Sequence, residues 1–263
     1  MPLANGRSGA WHSSAQQDRA VLALLGAKRG GYFIDLTASD PVKDSNTLAL
    51  ERDYGWGGLC LEPRPYFQQR LTSTRSCTVV GVGVAKVEGT VPLTLERPFG
   101  ARSPYSALEN AVVAGREGEV ARVLERLEAA DYERESTVRA VTFAHLFRAF
   151  AVPRHIDYLS LNADGAEDDL MATFPFETHT VSIVSVQRPS SQLMQLFRAQ
   201  QYVYLCDCGL AGNMLFVHRN VSAMGAINGT TAIGRVCHEW RRNVRIAFPL
   251  RRPHSKTHEH GTR

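Results

Sequence analysis

No apolar run in this chain of 263 residues approaches the roughly 20 residues that a bilayer-spanning helix needs, so the sequence reads as soluble or peripheral. There is no Gly-rich phosphate loop and no Ser-centred nucleophile elbow, which sets aside P-loop nucleotide hydrolysis and hydrolase-type acyl transfer. His145, His155, His179 and His218 stand at no metal-ligand or triad spacing and read as ordinary surface or core residues. The chain lacks an internal repeat or coiled coil, which argues against a stacked-repeat architecture. Acids are missing from the beginning: residues 1–14 hold none, and Asp18 is the only one before Asp35. With Gly, Ser, Asn and Arg7, residues 1–15 read as a flexible or draped arm. Its Arg and Ser content is also that of an organellar transit peptide, so a mitochondrial or other organellar location is expected beside a cytoplasmic one.

Cysteine is sparse and odd in number: Cys60, Cys77, Cys206, Cys208 and Cys237. Two of the five lie in apolar, strand-like runs where a thiol acts as a small hydrophobe, so a reducing, intracellular compartment is expected rather than a disulfide framework. Cys206-Asp-Cys208 is closer spaced than a zinc knuckle, and Cys237-His238 would have to complete it; no metal site is expected there.

Apolar residues make up 44% of the chain, enough for one large α/β core. The net charge of +4 is unevenly placed, because Arg235 to Arg263 alone contributes +6 and leaves the rest at −2. The domain is accordingly assigned to residues 16–222, and 223–263 to a basic extension suited to an acidic protein surface or RNA.

The centre of the pattern is Gly31-Tyr-Phe-Ile-Asp-Leu36, a short loop of small residues, a helical stretch from about Asn46 to Arg52, and Gly58-Leu-Cys-Leu-Glu62. That is a strand, loop, helix, strand unit whose two acids, Asp35 and Glu62, end consecutive strands. An acid ending the second strand can accept from both ribose hydroxyls of a nucleoside, so the unit points to an adenosine-type pocket. Around it, helices are expected over residues 16–25, 64–71, 143–150, 166–174 and 192–199. Strands are expected over residues 77–84, 90–95, 156–161 and 180–186, with 202–205 and 214–218 as a hairpin. Pro92 should put its strand on an edge. An amphipathic helical insert is read at about 107–135. The alternation predicts an α/β, doubly wound, mostly parallel sheet with one antiparallel strand near the edge.

The ordered blocks Gly31-Tyr-Phe-Ile-Asp35, Asn46-Thr-Leu-Ala-Leu-Glu51, Gly55-Trp-Gly-Gly-Leu-Cys-Leu-Glu-Pro63, Ile156-Asp-Tyr-Leu-Ser-Leu161 with Gly165-Ala-Glu167, and Leu215-Phe-Val-His218 resemble the FkbM family of S-adenosylmethionine-dependent methyltransferases. The resemblance implies a class I methyltransferase-like, Rossmann-like fold with a seven-stranded sheet, and S-adenosylmethionine as cofactor. It places cofactor-binding positions at Asp35, Thr37, Ser39, Asn46, Glu62 and Asn162, and a candidate catalytic base at Asp164.

The loop departs from the family pattern. Thr37 and Pro41 stand where glycines are usual, and Asn162 and Gln187 where acids are usual. A β-branched side chain and a fixed φ near −65° both restrict a loop that needs close backbone approach to its ligand. The expectation is a methyltransferase-fold protein with lost or weakened catalysis, serving as a structural or accessory subunit of a larger protein assembly. The alternative is an active O- or N-methyltransferase.

Overall fold

The computed structural model describes residues 11–94, 135–163, 165–208 and 213–223. The insert at about 107–135 lies outside the described residues but for Glu135, and the extension 224–263 lies outside them entirely.

The central sheet has seven strands: β1 (Tyr32–Leu36), β2 (Gly57–Leu61), β3 (Thr78–Val80), β7 (His155–Leu161), β8 (Thr180–Gln187), β9 (Tyr202–Cys208) and β10 (Asn213–His218). Their order is β3-β2-β1-β7-β8-β10-β9. The first five are mutually parallel, and β10 runs antiparallel to both neighbours, β8 and β9. This is the mostly parallel, doubly wound sheet that the alternation predicts. The chain steps outward from β1 to β3, then returns to lay β7 against the other side of β1. Strand order therefore reverses between β1 and β7, and a crevice opens beyond their carboxyl ends.

The strands are apolar because both faces are covered. Ile34, Leu36, Leu59, Leu61, Leu159 and Leu161 pack into one cluster, with Phe143 and Phe147 of α4 (Phe143–Ala149), Leu170 of α5 (Glu167–Ala172) and Phe197 of α6 (Ser191–Ala199). Phe33, Cys60, Tyr158 and Ile183 face the other, with α1 (Gln17–Leu24), Leu50 of α2 (Leu48–Tyr54) and Leu71 of α3 (Pro65–Thr74). Two glycines permit the tightest approaches. A β-carbon on Gly31 would stand 2.6 Å from the Trp56 ring, and one on Gly58 would stand 2.2 Å from the backbone oxygen of Phe33. Gly58→Ala therefore forces the β1–β2 backbones apart. It is expected to cost about 1–3 kcal/mol in urea unfolding, and a loss below 0.5 kcal/mol would contradict the close approach.

Several expectations are corrected. The run 77–84 is not one strand: it divides at Gly81, with β3 joining the main sheet and β4 (Gly83–Val84) pairing with β6 (Glu135–Val141) in a second, three-stranded sheet with β6 at its centre. The β6 strand and this small sheet have no counterpart in the sequence reading. β5 (Gly89–Thr94) is an edge strand of it, where Pro92 is tolerated opposite Thr137. The second helix starts at Leu48 rather than near Asn46. The end of the arm is packed, because Ser13 and Ala15 are buried against the domain and Asp18 accepts from the His12 and Ser13 N–H groups. Cys60 and Cys77 are buried as expected, but they are joined in a disulfide between β2 and the entry to β3. Sequence alone leaves such a pairing open, since only tertiary folding brings positions 17 residues apart face to face. Cys206 and Cys208 lie in β9; Cys237 and His238 lie outside the described residues.

Candidate functional site: the crevice beyond β1, β2 and β7

Asp35 lies at the end of β1 opposite Ser160 of β7. Its side chain is buried, and Oδ2 accepts from Thr47 Oγ1 at 2.7 Å, with the Ser160 hydroxyl bonding the same carboxylate. Burial pushes the Asp35 carboxyl above its ordinary range, against the opposing pull of Thr47 and of the Arg75 charge. The acid is thus held as part of the floor beneath the loop.

The loop carries its backbone in a demanding form. Thr37, Ser39 and Asp44 all have left-handed φ, at 60°, 56° and 59°. Thr37 is β-branched and stands at a position where the family usually has glycine, so the chain keeps a glycine-type conformation without glycine, at about 1–3 kcal/mol of strain. Thr37→Gly releases that strain while adding freedom to the unfolded chain. The net expectation is a gain of about 1 kcal/mol in stability by urea unfolding, and a loss of that size would refute it.

Beyond the loop, Asp40 accepts from the Val42 and Lys43 N–H groups and from Arg70 Nη1 at 2.7 Å. Partial burial opposes ionisation of Asp40, but these donors outweigh it and its carboxyl lies below the ordinary range. Asn46 bridges the arm and the sheet: its Oδ1 accepts from Ser13 Oγ at 2.8 Å and its Nδ2 donates to Ser160 Oγ at 3.0 Å.

Glu62 follows β2 and is fully buried. Its Oε2 accepts from the Ser39 N–H at 2.8 Å and from Arg64 Nη2 at 2.8 Å. Its Oε1 accepts from the Arg64 N–H at 2.9 Å and from Arg64 Nε at 2.7 Å. The guanidinium thus folds back as a fork on the carboxylate, and Nη2 also donates to Ser39 Oγ at 3.1 Å. It lies 4.6 Å over the Phe67 ring.

Behind the loop lies a buried network absent from the sequence reading. Arg75 is fully buried and donates to Glu51 Oε2 at 3.0 Å, to Thr47 Oγ1 at 2.9 Å and to Ser45 Oγ at 3.1 Å. The Ser76 N–H donates to Glu51 Oε1 at 2.6 Å. Through Thr47 this network reaches Asp35. On the β7 side, Asn162 follows the strand and its Oδ1 is buried with no hydrogen-bond partner among the described residues. Glu167 holds the turn beyond it by accepting from the Ala163 and Gly165 N–H groups, each at 2.9 Å. Asp164 itself lies outside the described residues.

Of the six proposed cofactor positions, the fold gathers Asp35, Thr37, Ser39, Asn46 and Glu62 at the ends of β1 and β2, with Asn162 at the end of β7. Arg64 and Arg75 were missed. Arg64 could have been suspected from its place two residues after the acid, on the same turn. Arg75 gave no signal, because its partner Glu51 is 24 residues away.

A parallel sheet reversed between β1 and β7, with one acid near the end of β1 and another just after β2, defines a class I methyltransferase-like fold with a crevice at the reversal. The model of the methyltransferase FkbM domain matches residues 35–206, and the chain belongs to that family. No curated protein matches the chain. Among solved structures, a protein described as an rRNA methylase from Clostridium thermocellum is similar at 8% identity and a TM-score of 0.39, over 79% of this chain and 95% of that one. A precorrin-6y C5,15-methyltransferase from Geobacter metallireducens GS-15 is similar at 9% identity and a TM-score of 0.34, over 76% of this chain and 85% of that one.

Proposed function

We propose that this is a methyltransferase-fold protein whose use of S-adenosylmethionine is weakened or lost, and which serves as an accessory or structural subunit of a larger assembly. The observation that carries this reading is the state of Glu62. Each oxygen of the acid best placed for ribose hydroxyls already accepts a backbone N–H and a guanidinium N–H. A ribose diol must displace Arg64 before it can bond there, and charge-assisted hydrogen bonds of this kind are each worth about 1.5–3 kcal/mol. The amides Asn162 and Gln187 add to the reading, since neither offers a sulfonium the attraction of a carboxylate.

Titration calorimetry with S-adenosylmethionine and S-adenosylhomocysteine tests it. No binding at millimolar ligand is expected. Micromolar affinity, about −8 kcal/mol, would overturn the reading.

The active O- or N-methyltransferase has one observation in its favour. Thr37 and Ser39 hold the left-handed backbone that a glycine-type cofactor loop requires. In that reading Asp164 is the base and Arg64 swings aside as the cofactor enters.

For partners, the basic extension supports attachment to protein subunits of the assembly, or to RNA or another acidic surface within it. Truncation after Trp240 is expected to leave unfolding free energy within about 1 kcal/mol while weakening co-purification of the native partner. Unfolding of the truncated chain would refute the attachment role. The Cys60–Cys77 disulfide supports a compartment oxidising enough to maintain it, in place of the reducing one expected from cysteine usage.

A further inference from the structure

The crevice presents an accessible cation, Arg64, on the acid at the end of β2. We propose that it takes an adenosine nucleotide carrying a phosphate on the ribose, at the 2′ or 3′ oxygen. The proposal rests on the reading that Glu62 is the ribose-facing acid of the crevice, and it explains why an arginine sits on that acid.

Several observations converge on one spot. Arg64 is partly exposed, at 27%, while the carboxylate beneath it is fully buried, so the cation is the accessible member of the pair. The guanidinium also holds Ser39 Oγ, which brings a hydroxyl from the loop after β1 to the same place. Arg70, further along α3, grips Asp40, the residue next to Ser39, and is 43% exposed. The ten-residue helix α3 begins immediately after Arg64, and the anion at its N-terminus is Glu62 itself, which accepts from the Arg64 N–H at 2.9 Å.

An incoming ribose phosphate carries up to two negative charges and several acceptor oxygens, against one charge on Glu62. It competes for the guanidinium fork on better terms than a neutral diol. Once Arg64 turns to the phosphate, Glu62 is freed to accept the remaining ribose hydroxyl, and both halves of the former ion pair gain a partner in the ligand. S-adenosylmethionine brings no anion to this side of the ribose and must uncover Glu62 without satisfying Arg64. The division of labour is the one that lets an acid read a ribose hydroxyl and a neighbouring arginine read a ribose phosphate in dinucleotide sites.

The test is calorimetric titration of the full chain with adenosine 3′,5′-bisphosphate, adenosine 2′,5′-bisphosphate, adenosine 5′-monophosphate, S-adenosylmethionine and inorganic phosphate. At least one bisphosphate is expected to bind with a Kd tenfold or more below that of the 5′-monophosphate, and the arm that binds tells which oxygen carries the phosphate. Arg64→Gln should bring the bisphosphate and monophosphate Kd values to within a factor of about two or three. Arg64→Lys, which keeps the charge and loses the fork, should retain part of the difference and guards against a misfolded glutamine variant. The proposal falls if the bisphosphates match the monophosphate, if no adenosine nucleotide binds at millimolar concentration, if inorganic phosphate binds as tightly as the bisphosphates, or if the preference survives Arg64→Gln. Micromolar binding of S-adenosylmethionine would overturn the reading of weakened cofactor use, whereas only the bisphosphate comparison decides the ligand class, so the two failures are separable.

Discussion

Arg75→Met is expected to destabilise the protein by about 3–5 kcal/mol, the largest loss anticipated from any single substitution described here. The reason is what the guanidinium leaves behind. Glu51 has its side chain only 6% exposed, and without Arg75 it keeps, among the described residues, the Ser76 N–H as donor. Ser45 and Thr47 lose a donor as well, and Thr47 is the group that holds Asp35 beneath the loop. A buried charge stripped of its counter-ion costs far more than the intact pair contributes, because desolvation of both ions offsets most of their attraction. The double variant Arg75→Met with Glu51→Leu should therefore recover most of the loss, since it removes both charges and leaves apolar volume. Guanidinium chloride unfolding of the wild type, the two single variants and the double variant closes the cycle. A loss below 1 kcal/mol in Arg75→Met, or a double variant no better than the single, would show that the network contributes little to holding the loop.

Arg64→Ala is expected to raise affinity for S-adenosylmethionine by tenfold or more, at least 1.4 kcal/mol. Removing the guanidinium frees one acceptor position on each oxygen of Glu62, while the Ser39 and Arg64 N–H groups continue to hold the carboxylate in place. Adding Glu62→Gln should abolish the gain, because an amide accepts at only one of its two terminal atoms and a backbone N–H already occupies part of that capacity. The comparison is calorimetry at fixed pH and salt. No binding by Arg64→Ala at millimolar ligand, or an affinity no better than the wild type's, would mean that the barrier to binding lies elsewhere in the crevice. Restoring glycine at Thr37 and Pro41, the change suggested by sequence alone, is a weaker route to the same end. Thr37 already holds the glycine-type backbone, and the Pro41 carbonyl is engaged by Arg75 Nη1 at 3.4 Å. Those substitutions relax the loop; they do not uncover Glu62.

Much of the crevice was legible because it is built from local signals. Strand ends are marked by acids that close apolar runs, as at Asp35 and Glu62, and period and length distinguish the helices between them. The corrections fall where local pattern carries no information. The run 77–84 is uniformly β-prone, so nothing in its periodicity says that residues before Gly81 join one sheet and those after it another. The β6 strand pairs with segments about 50 residues earlier in the chain, a choice made by the sheet rather than by the strand.

The sequence by itself determined the class of fold and the positions of the two crevice acids, because alternation of apolar runs with helical stretches leaves few ways to cover a parallel sheet on both faces. Only the tertiary structure decided how those acids are used. Whether Glu62 meets solvent or a guanidinium depends on how the chain turns after β2 and returns Arg64 onto it. Whether Asp35 faces the crevice or stands in a buried network depends on Arg75, brought 28 residues back along the chain to Thr47 and 24 back to Glu51. Cys60 and Cys77 follow the same rule: burial was readable from apolar context, but bonding required both to arrive at one place. Charge pairing and cross-linking are set by three-dimensional proximity, and proximity between distant residues is what a one-dimensional pattern does not contain.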